Sequence, residues 1–128
     1  MNPIVEQQVE ELKVVCPSAT ARALPSGAYL VQIPDVRLPN GWNRTTATVL
    51  FVAPVGFPGA KPDCFWLEPG GVRLANGAMP NASNDSSPIP EVGPRGTWFS
   101  WHVQQWSPNR DNLVVYFKAI GQRLSPAR

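Results

Sequence analysis

The sequence predicts an α+β domain in which a helix at each end flanks an antiparallel sheet. Apolar residues recur at helical spacing in residues 4–15 and again in 109–124, near the two ends of the chain. Between them, 20–24, 27–34 and 46–54 are rich in strand-forming residues, and turn-forming residues separate these segments. Strands grouped together, without alternating helices, are typical of the α+β class.

The first helix has clear start and stop signals. Asn2 is a favourable cap, and Pro3 suits the first helical position. Cys16 precedes a proline and therefore ends the helix, because that position disfavours the α region. The three strand-like segments that follow form an antiparallel meander in the simplest arrangement. The short aromatic segment 64–67 adds a fourth strand, so we predict a four-stranded antiparallel meander.

Residues 72–96 show almost no hydrophobic periodicity. A long irregular segment inside a compact domain is uncommon, and where one occurs it is usually functional. We therefore predict an irregular active-site segment between the sheet and the C-terminal helix. That helix is predicted over 109–124, and residues 124–128 are expected to form a frayed tail.

Length and composition predict a single globular domain, residues 1–128, with 43% hydrophobic and 16% charged residues. The formal net charge is only +2 and the basic residues are scattered, which argues against a nucleic-acid partner. Cys16 and Cys64 lie far apart with no CxxC pair, so neither a zinc site nor a disulfide framework is predicted. We expect no membrane partner and a cytoplasmic location, because no signal-like segment or membrane-length apolar run is present.

The segment 97–106, TWFSWHVQQW, holds three of the five tryptophans and the only histidine. A serine hydroxyl is a poor nucleophile until a base removes its proton, and histidine is the usual base. If this segment is extended, Ser100 and His102 project on the same side, whereas in a helix they diverge. The alternative is structural: His102 caps a backbone carbonyl among packed aromatic side chains.

The order of elements and several motifs resemble the ubiquitin-conjugating superfamily. FPGAKPDCFW (57–66) resembles its aromatic-proline turn, which leads into the last sheet strand. WSPNRDNLVVYFKAI (106–120) resembles its tryptophan-serine-proline segment, which opens the helix after the catalytic site. LPNGWNRTTATVLFVAPVGFPGAKPD (38–63) and the Ser-Trp-His near Trp106 look most like a bacterial branch, the prokaryotic family labelled E. The resemblance implies the ubiquitin-conjugating-like fold.

The chain departs from the classical family at the catalytic position. Classical members have a His-Pro-Asn triplet and then a cysteine about eight residues before Trp-x-Pro, and here no cysteine follows Cys64. The resemblance therefore implies acyl transfer through an oxyester on Ser100. His102 is then the base, or the group that orients the incoming nucleophile. The nearest match to the triplet is Met79-Pro80-Asn81, which lacks its histidine, and the resemblance implies that Asn81 donates to the developing oxyanion. The alternative is that Asn81 and Asn84 make Asx-turns in a turn-prone segment.

Other nucleophiles stay open at this point. Cys64 is predicted to be a buried strand residue, because free cysteine is among the most buried residue types. Four polar side chains of the irregular segment are further candidates or simply solvated loop residues: Ser83, Asp85, Ser86 and Ser87.

The resemblance also implies the partners. They are a ubiquitin-like protein and a ubiquitin-activating-like enzyme. No metal and no organic cofactor is implied, since the activating enzyme uses the ATP. Two alternatives follow from the missing classical cysteine. One is a catalytically inactive scaffold that binds the ubiquitin-like protein or the activating enzyme, and the other is a conjugating enzyme that uses Cys64.

Overall fold

A computed structural model describes residues 2–128 and contains two α-helices and a six-stranded antiparallel sheet, which confirms the predicted α+β class. The helices are α1 (Pro3–Val15) and α2 (Leu113–Leu124). The strands are β1 (Thr20–Ala23), β2 (Tyr29–Arg37), β3 (Thr46–Ala53), β4 (Phe65–Glu68), β5 (Ser83–Asn84) and β6 (Thr97–Phe99).

Each helix begins after an asparagine whose side chain accepts hydrogen bonds from the first turn. Asn2 caps α1, and Asn112 Oδ1 accepts from the Val115 N–H at 2.9 Å at the start of α2. The helix α2 starts four residues later than predicted. The reason is a separate turn before it, in which the Ser107 N–H donates to Asp111 Oδ2 at 2.7 Å.

The first four strands follow one another across the sheet as a meander, but the predicted count of four strands is wrong. The strand order is β1-β2-β3-β4-β6-β5, so two short strands from the irregular segment and its C-terminal flank extend the sheet. The strand β2 also continues to Arg37, beyond the predicted end at residue 34. A shift in register between Ile33 and Val36 carries it past Pro34, which has no N–H to donate.

Gly96 allows β6 to pair closely with β4. A Cβ at this position would lie 2.2 Å from the carbonyl oxygen of Leu67, and its φ of 74° is in the left-handed region. Any other residue would therefore push β6 away from β4. The position of Gly96 matters for the site, because β6 leads directly into Ser100.

Both helices pack on one face of the sheet and form the main core with it. The opposite face is covered by part of the irregular segment. There Ile89 is buried with Leu50 and Trp66, and the Trp66 indole N–H donates to the Ser87 carbonyl at 2.9 Å. The main core contains, among others, Val9, Leu12, Val31, Val49, Phe51, Phe65, Leu67, Phe99, Tyr116 and Ile120.

The residues expected to form a frayed tail contact the rest of the protein. Leu124 is buried in α2, Ala127 packs against the main core, and the Arg128 carbonyl accepts from the Arg123 guanidinium at 2.9 Å. Within residues 2–128, neither helix has the length and apolar character needed to cross a membrane.

Candidate active site

Ser100 and His102 lie directly after β6, in backbone that belongs to no helix. Ser100 Oγ and His102 Nε2 are 3.2 Å apart, which is hydrogen-bonding distance. The Ser100 N–H donates to the Ala82 carbonyl at 2.9 Å and so continues the pairing between β5 and β6. The structure therefore brings together the two side chains that the sequence pattern paired.

The other ring nitrogen of His102 faces a carboxylate that the sequence analysis did not single out. His102 Nδ1 lies 2.5 Å from Asp63 Oδ1, across 39 positions of the chain. Asp63, His102 and Ser100 thus form a continuous row of carboxylate, imidazole and hydroxyl. This is the order of groups in a Ser-His-Asp triad, which is recognised by geometry and roles instead of by sequence position.

The carboxylate of Asp63 determines which nitrogen of the neutral His102 ring carries the proton. An ionised carboxylate can only accept hydrogen bonds, so Nδ1 must be the donor in the bond to Asp63. Nε2 then has a free lone pair and accepts from the Ser100 hydroxyl. In this tautomer the imidazole is able to remove the serine proton.

The row of three residues is open to solvent. The side chain of His102 is 52% exposed and that of Asp63 is 57% exposed. Ser100 is half-buried at the end of β6. The carboxylate and the imidazole can therefore be reached from solvent.

The segment that carries Asp63 is tied to the segment that carries His102. Both segments lack regular structure at this point, so their relative position depends on hydrogen bonds between them. Each of these bonds involves a backbone carbonyl as acceptor. Lys61 Nζ donates to the Val103 carbonyl, the Cys64 N–H donates to the Trp101 carbonyl at 2.9 Å, and the Trp106 indole N–H donates to the Pro58 carbonyl at 2.8 Å.

Cys64 adjoins the row but is buried, as the sequence predicts, with 8% of its surface exposed. It lies one residue before β4 instead of inside a strand, and its φ of 62° is in the left-handed region. The Tyr116 hydroxyl donates to its carbonyl at 2.7 Å. Burial raises the pKa of the Cys64 thiol, so this thiol is a weak nucleophile at neutral pH.

Asn81 lies in the segment beside Ser100. Its carbonyl accepts from the Arg123 guanidinium at 2.8 Å, and the carbonyl of the next residue, Ala82, accepts from Ser100. The Asn81 side chain is exposed and has no hydrogen-bond partner in the part of the chain that the structure describes. The structure therefore places the backbone of Asn81 next to the site and leaves its amide free.

The polar side chains of the irregular segment make local contacts. The Ser83 hydroxyl donates to the Pro80 carbonyl at 2.7 Å, and Ser86 and Ser87 donate their backbone N–H groups to Asn84 Oδ1. None of these serines has a base within hydrogen-bonding distance among residues 2–128. They are therefore weaker candidates for a nucleophile than Ser100.

Asp85 connects three segments behind the site. Its carboxylate accepts from the Arg73 guanidinium at 2.6 Å, from the Thr97 hydroxyl at 2.5 Å and from the Gly71 N–H at 3.1 Å. The bond from Arg73, followed by that from Thr97, lowers the pKa of Asp85 to about 2. Since Thr97 begins β6, this network holds the strand that leads to Ser100.

Replacing Asp85 with asparagine is expected to lower the free energy of unfolding at pH 7 by about 1 kcal/mol. The fall in the Asp85 pKa from 3.8 to about 2 corresponds to a stabilisation of at most about 2.5 kcal/mol. The carboxylate is one-third exposed, so solvent screening reduces this stabilisation. Because the folded pKa is lowered, the stabilisation is present above about pH 4 and is lost as the pH falls towards 2.

Urea unfolding at pH 7 and pH 2.5 measures both the loss of stability in Asp85→Asn and its dependence on pH, with the substitution Asp35→Asn at an exposed position as control. A pH-independent difference between the Asp85 variant and the natural sequence would contradict this account.

One protein-family model matches most of the chain. Residues 21–127 match the family model described as Prokaryotic E2 family E. The matched region includes Asp63, Ser100 and His102 as well as the whole of α2. No curated protein and no solved structure matches the chain significantly.

Proposed function

The chain belongs to prokaryotic E2 family E, and on that premise we propose that it carries a ubiquitin-like protein as an oxyester on Ser100. Membership of this family gives the chain an E2-like role in the conjugation of ubiquitin-like proteins. In the proposed reaction the chain accepts the C-terminal acyl group of such a protein from an activating enzyme. It then passes the acyl group to an acceptor nucleophile.

The observation that carries this proposal is the row of hydrogen bonds from Asp63 through His102 to Ser100. A serine hydroxyl attacks an acyl group efficiently only where a base takes its proton during the attack. His102 Nε2 is at 3.2 Å from Ser100 Oγ, and the bond to Asp63 keeps the ring in the tautomer that accepts this proton. The Ser26 hydroxyl also donates to a side chain that can act as a base, Glu91 Oε2 at 2.6 Å, but a carboxylate is a much weaker base than an imidazole.

Loading begins with attack of Ser100 Oγ on the thioester carbonyl carbon of the ubiquitin-like protein bound to the activating enzyme. The new bond is Oγ–C, and the bond that breaks is C–S. His102 Nε2 takes the serine proton as the bond forms and gives it to the departing thiolate. Asp63 stabilises the imidazolium that exists between these two proton transfers.

Transfer repeats the sequence with an acceptor amine. The amine attacks the ester carbonyl carbon, His102 takes a proton from the nitrogen, and Ser100 Oγ leaves with that proton. Negative charge develops on the carbonyl oxygen in both steps and requires a hydrogen-bond donor. We assign this role to the side-chain amide of Asn81, because it makes no hydrogen bond within residues 2–128 and the carbonyl of the next residue accepts from Ser100.

The test is the chemical lability of the loaded protein. The chain is mixed with a matching activating enzyme, ubiquitin-like protein and ATP, and the covalent adduct is treated separately with a thiol reductant and with hydroxylamine. An oxyester on Ser100 predicts an adduct that survives the thiol and is cleaved by hydroxylamine.

Two other results would contradict the proposal and identify the correct alternative. An adduct that the thiol reductant cleaves indicates a thioester, and its formation by Cys16→Ser assigns that thioester to Cys64. Tight binding of the ubiquitin-like protein or the activating enzyme without any adduct indicates a scaffold. Adduct formation by the Cys16→Ser variant is the control for the remaining thiol, which is half-buried at the end of α1.

A further inference from the structure

Three potential metal ligands of different chemistry converge beside Ser100. The carboxylate of Asp63, the thiol of Cys64 and a ring nitrogen of His102 lie within 4.8 Å of one another. The spacing of the two cysteines in the sequence gives no zinc signal, because these ligands meet through tertiary structure. From this convergence we propose that Asp63, Cys64 and His102 form a binding site for Zn²⁺.

The backbone at Cys64 explains how two adjacent residues face the same point. Neighbouring side chains in an extended strand point to opposite sides. At Cys64 the backbone has a left-handed φ of 62° and is held by two bonds, from its N–H to the Trp101 carbonyl and from the Tyr116 hydroxyl to its carbonyl. A non-glycine residue in this conformation is strained and persists only where its surroundings impose it.

The ligand set fits zinc better than the hard cations. Carboxylate, imidazole and thiolate are all common zinc ligands, whereas Mg²⁺ and Ca²⁺ take oxygen ligands. Tetrahedral zinc with bonds of about 2.0–2.3 Å places its ligand atoms about 3.3–3.6 Å apart. The three atoms require small shifts to reach these distances, and the exposed side chains of Asp63 and His102 are free to make them. Three protein ligands leave a fourth position for water.

Zinc at this site would stop His102 from acting as a base. We assign Nδ1 as the ligand because it already faces Asp63. Binding needs the Nδ1 lone pair, so the ring proton moves to Nε2, and the Cys64 thiol releases its proton to solvent. Nε2 then donates to Ser100 instead of accepting from it. Metal binding and acyl transfer through Ser100 are thus mutually exclusive.

The binding test uses Co²⁺ as a spectroscopic substitute for Zn²⁺ and the full chain without any partner protein. We expect a near-ultraviolet charge-transfer band from a cobalt–thiolate bond, and its loss when Zn²⁺ is added in excess. Cys64→Ser removes this band and Cys16→Ser retains it. Asp63→Asn and His102→Gln, at exposed positions, weaken Co²⁺ binding by at least about tenfold, because each replaces a strong ligand with a neutral amide and even outer-shell changes cost this much. Circular dichroism checks that each variant is folded.

Absence of the band at millimolar Co²⁺ would overturn the proposal, as would a band of equal strength in Cys64→Ser. Unchanged affinity in both Asp63→Asn and His102→Gln would overturn it as well, and these two variants decide the question if Cys64→Ser does not fold. This titration involves no acyl transfer. Its failure would therefore leave the proposed function untouched, and failure of the oxyester test would leave the metal site untouched.

Discussion

Replacing Ser100 with alanine is expected to abolish the covalent adduct with the ubiquitin-like protein. The variant lacks the hydroxyl that lies within hydrogen-bonding distance of the only histidine in the sequence. Removal of the nucleophile from a Ser-His-Asp unit costs a factor of about 10⁶ in kcat, so we expect no detectable adduct. The measurement is adduct formation on a denaturing gel after incubation with the activating enzyme, ubiquitin-like protein and ATP. Binding of the activating enzyme should be unchanged, because one oxygen atom is removed from a half-buried position.

Two further variants test whether loss of the adduct is specific to the Ser100 hydroxyl. Ser86→Ala removes an exposed hydroxyl from the irregular segment and is expected to form the adduct at the normal rate. Ser100→Cys places a thiol opposite His102 and is expected to form an adduct that a thiol reductant cleaves. Normal loading of Ser100→Ala would show that another residue carries the acyl group.

Replacing Asp63 with asparagine is expected to lower kcat for loading by a factor of about 10² to 10⁴. Asp63 acts through His102 and is a positioning residue. The asparagine amide is close in shape to the carboxylate, but it provides no negative charge for the imidazolium and can present an N–H to Nδ1. In that case Nδ1 becomes the acceptor, the ring proton moves to Nε2, and His102 no longer accepts from Ser100. Single-turnover loading rates measure this effect.

A purely structural role for Asp63 predicts a different outcome. In that case Asp63→Asn would change the midpoint of thermal unfolding or the KM for the loaded activating enzyme and leave kcat nearly unchanged. We expect the reverse, because Asp63 is mostly exposed and contacts His102. Asp35→Asn is the matched control, since Asp35 is also exposed and asparagine tolerates its left-handed φ of 56°. Partial recovery of kcat in Asp63→Glu would further support the positioning role.

The regular elements were largely predictable because their signals are local. The N-terminal cap, the proline stop and the apolar periodicity define α1 within one residue. The strands β5 and β6 were missed because each is too short to show alternation. The strand β6 forms by pairing with β4, and β5 forms by pairing with β6. The close approach at Gly96 depends on Leu67, in a strand that is distant in the sequence.

The candidate site was only partly predictable. Ser100 and His102 are two residues apart, so an extended backbone was enough to pair them. Asp63 gave no signal, because its contact with His102 crosses 39 positions and depends on hydrogen bonds between two irregular segments. The closeness of Cys64 to both residues was hidden for the same reason. The role of Asn81 stays a prediction, since it is the neighbouring residue, Ala82, whose carbonyl accepts from Ser100.

The central claim, that Ser100 carries the acyl group, is tested most directly by locating the acyl group in the loaded protein. Trypsin places the candidates in three separate fragments, because Lys61 is followed by proline and is not cut. Cys64 lies in residues 45–73, the serines of the irregular segment lie in 74–95, and Ser100 lies in 96–110. Digestion of the purified adduct is followed by mass spectrometry. Fragment ions distinguish Ser100 from the two other hydroxyl residues of its peptide, Thr97 and Ser107. We predict that the C-terminal remnant of the ubiquitin-like protein is found on Ser100, and its presence on 45–73 or 74–95 would contradict the account.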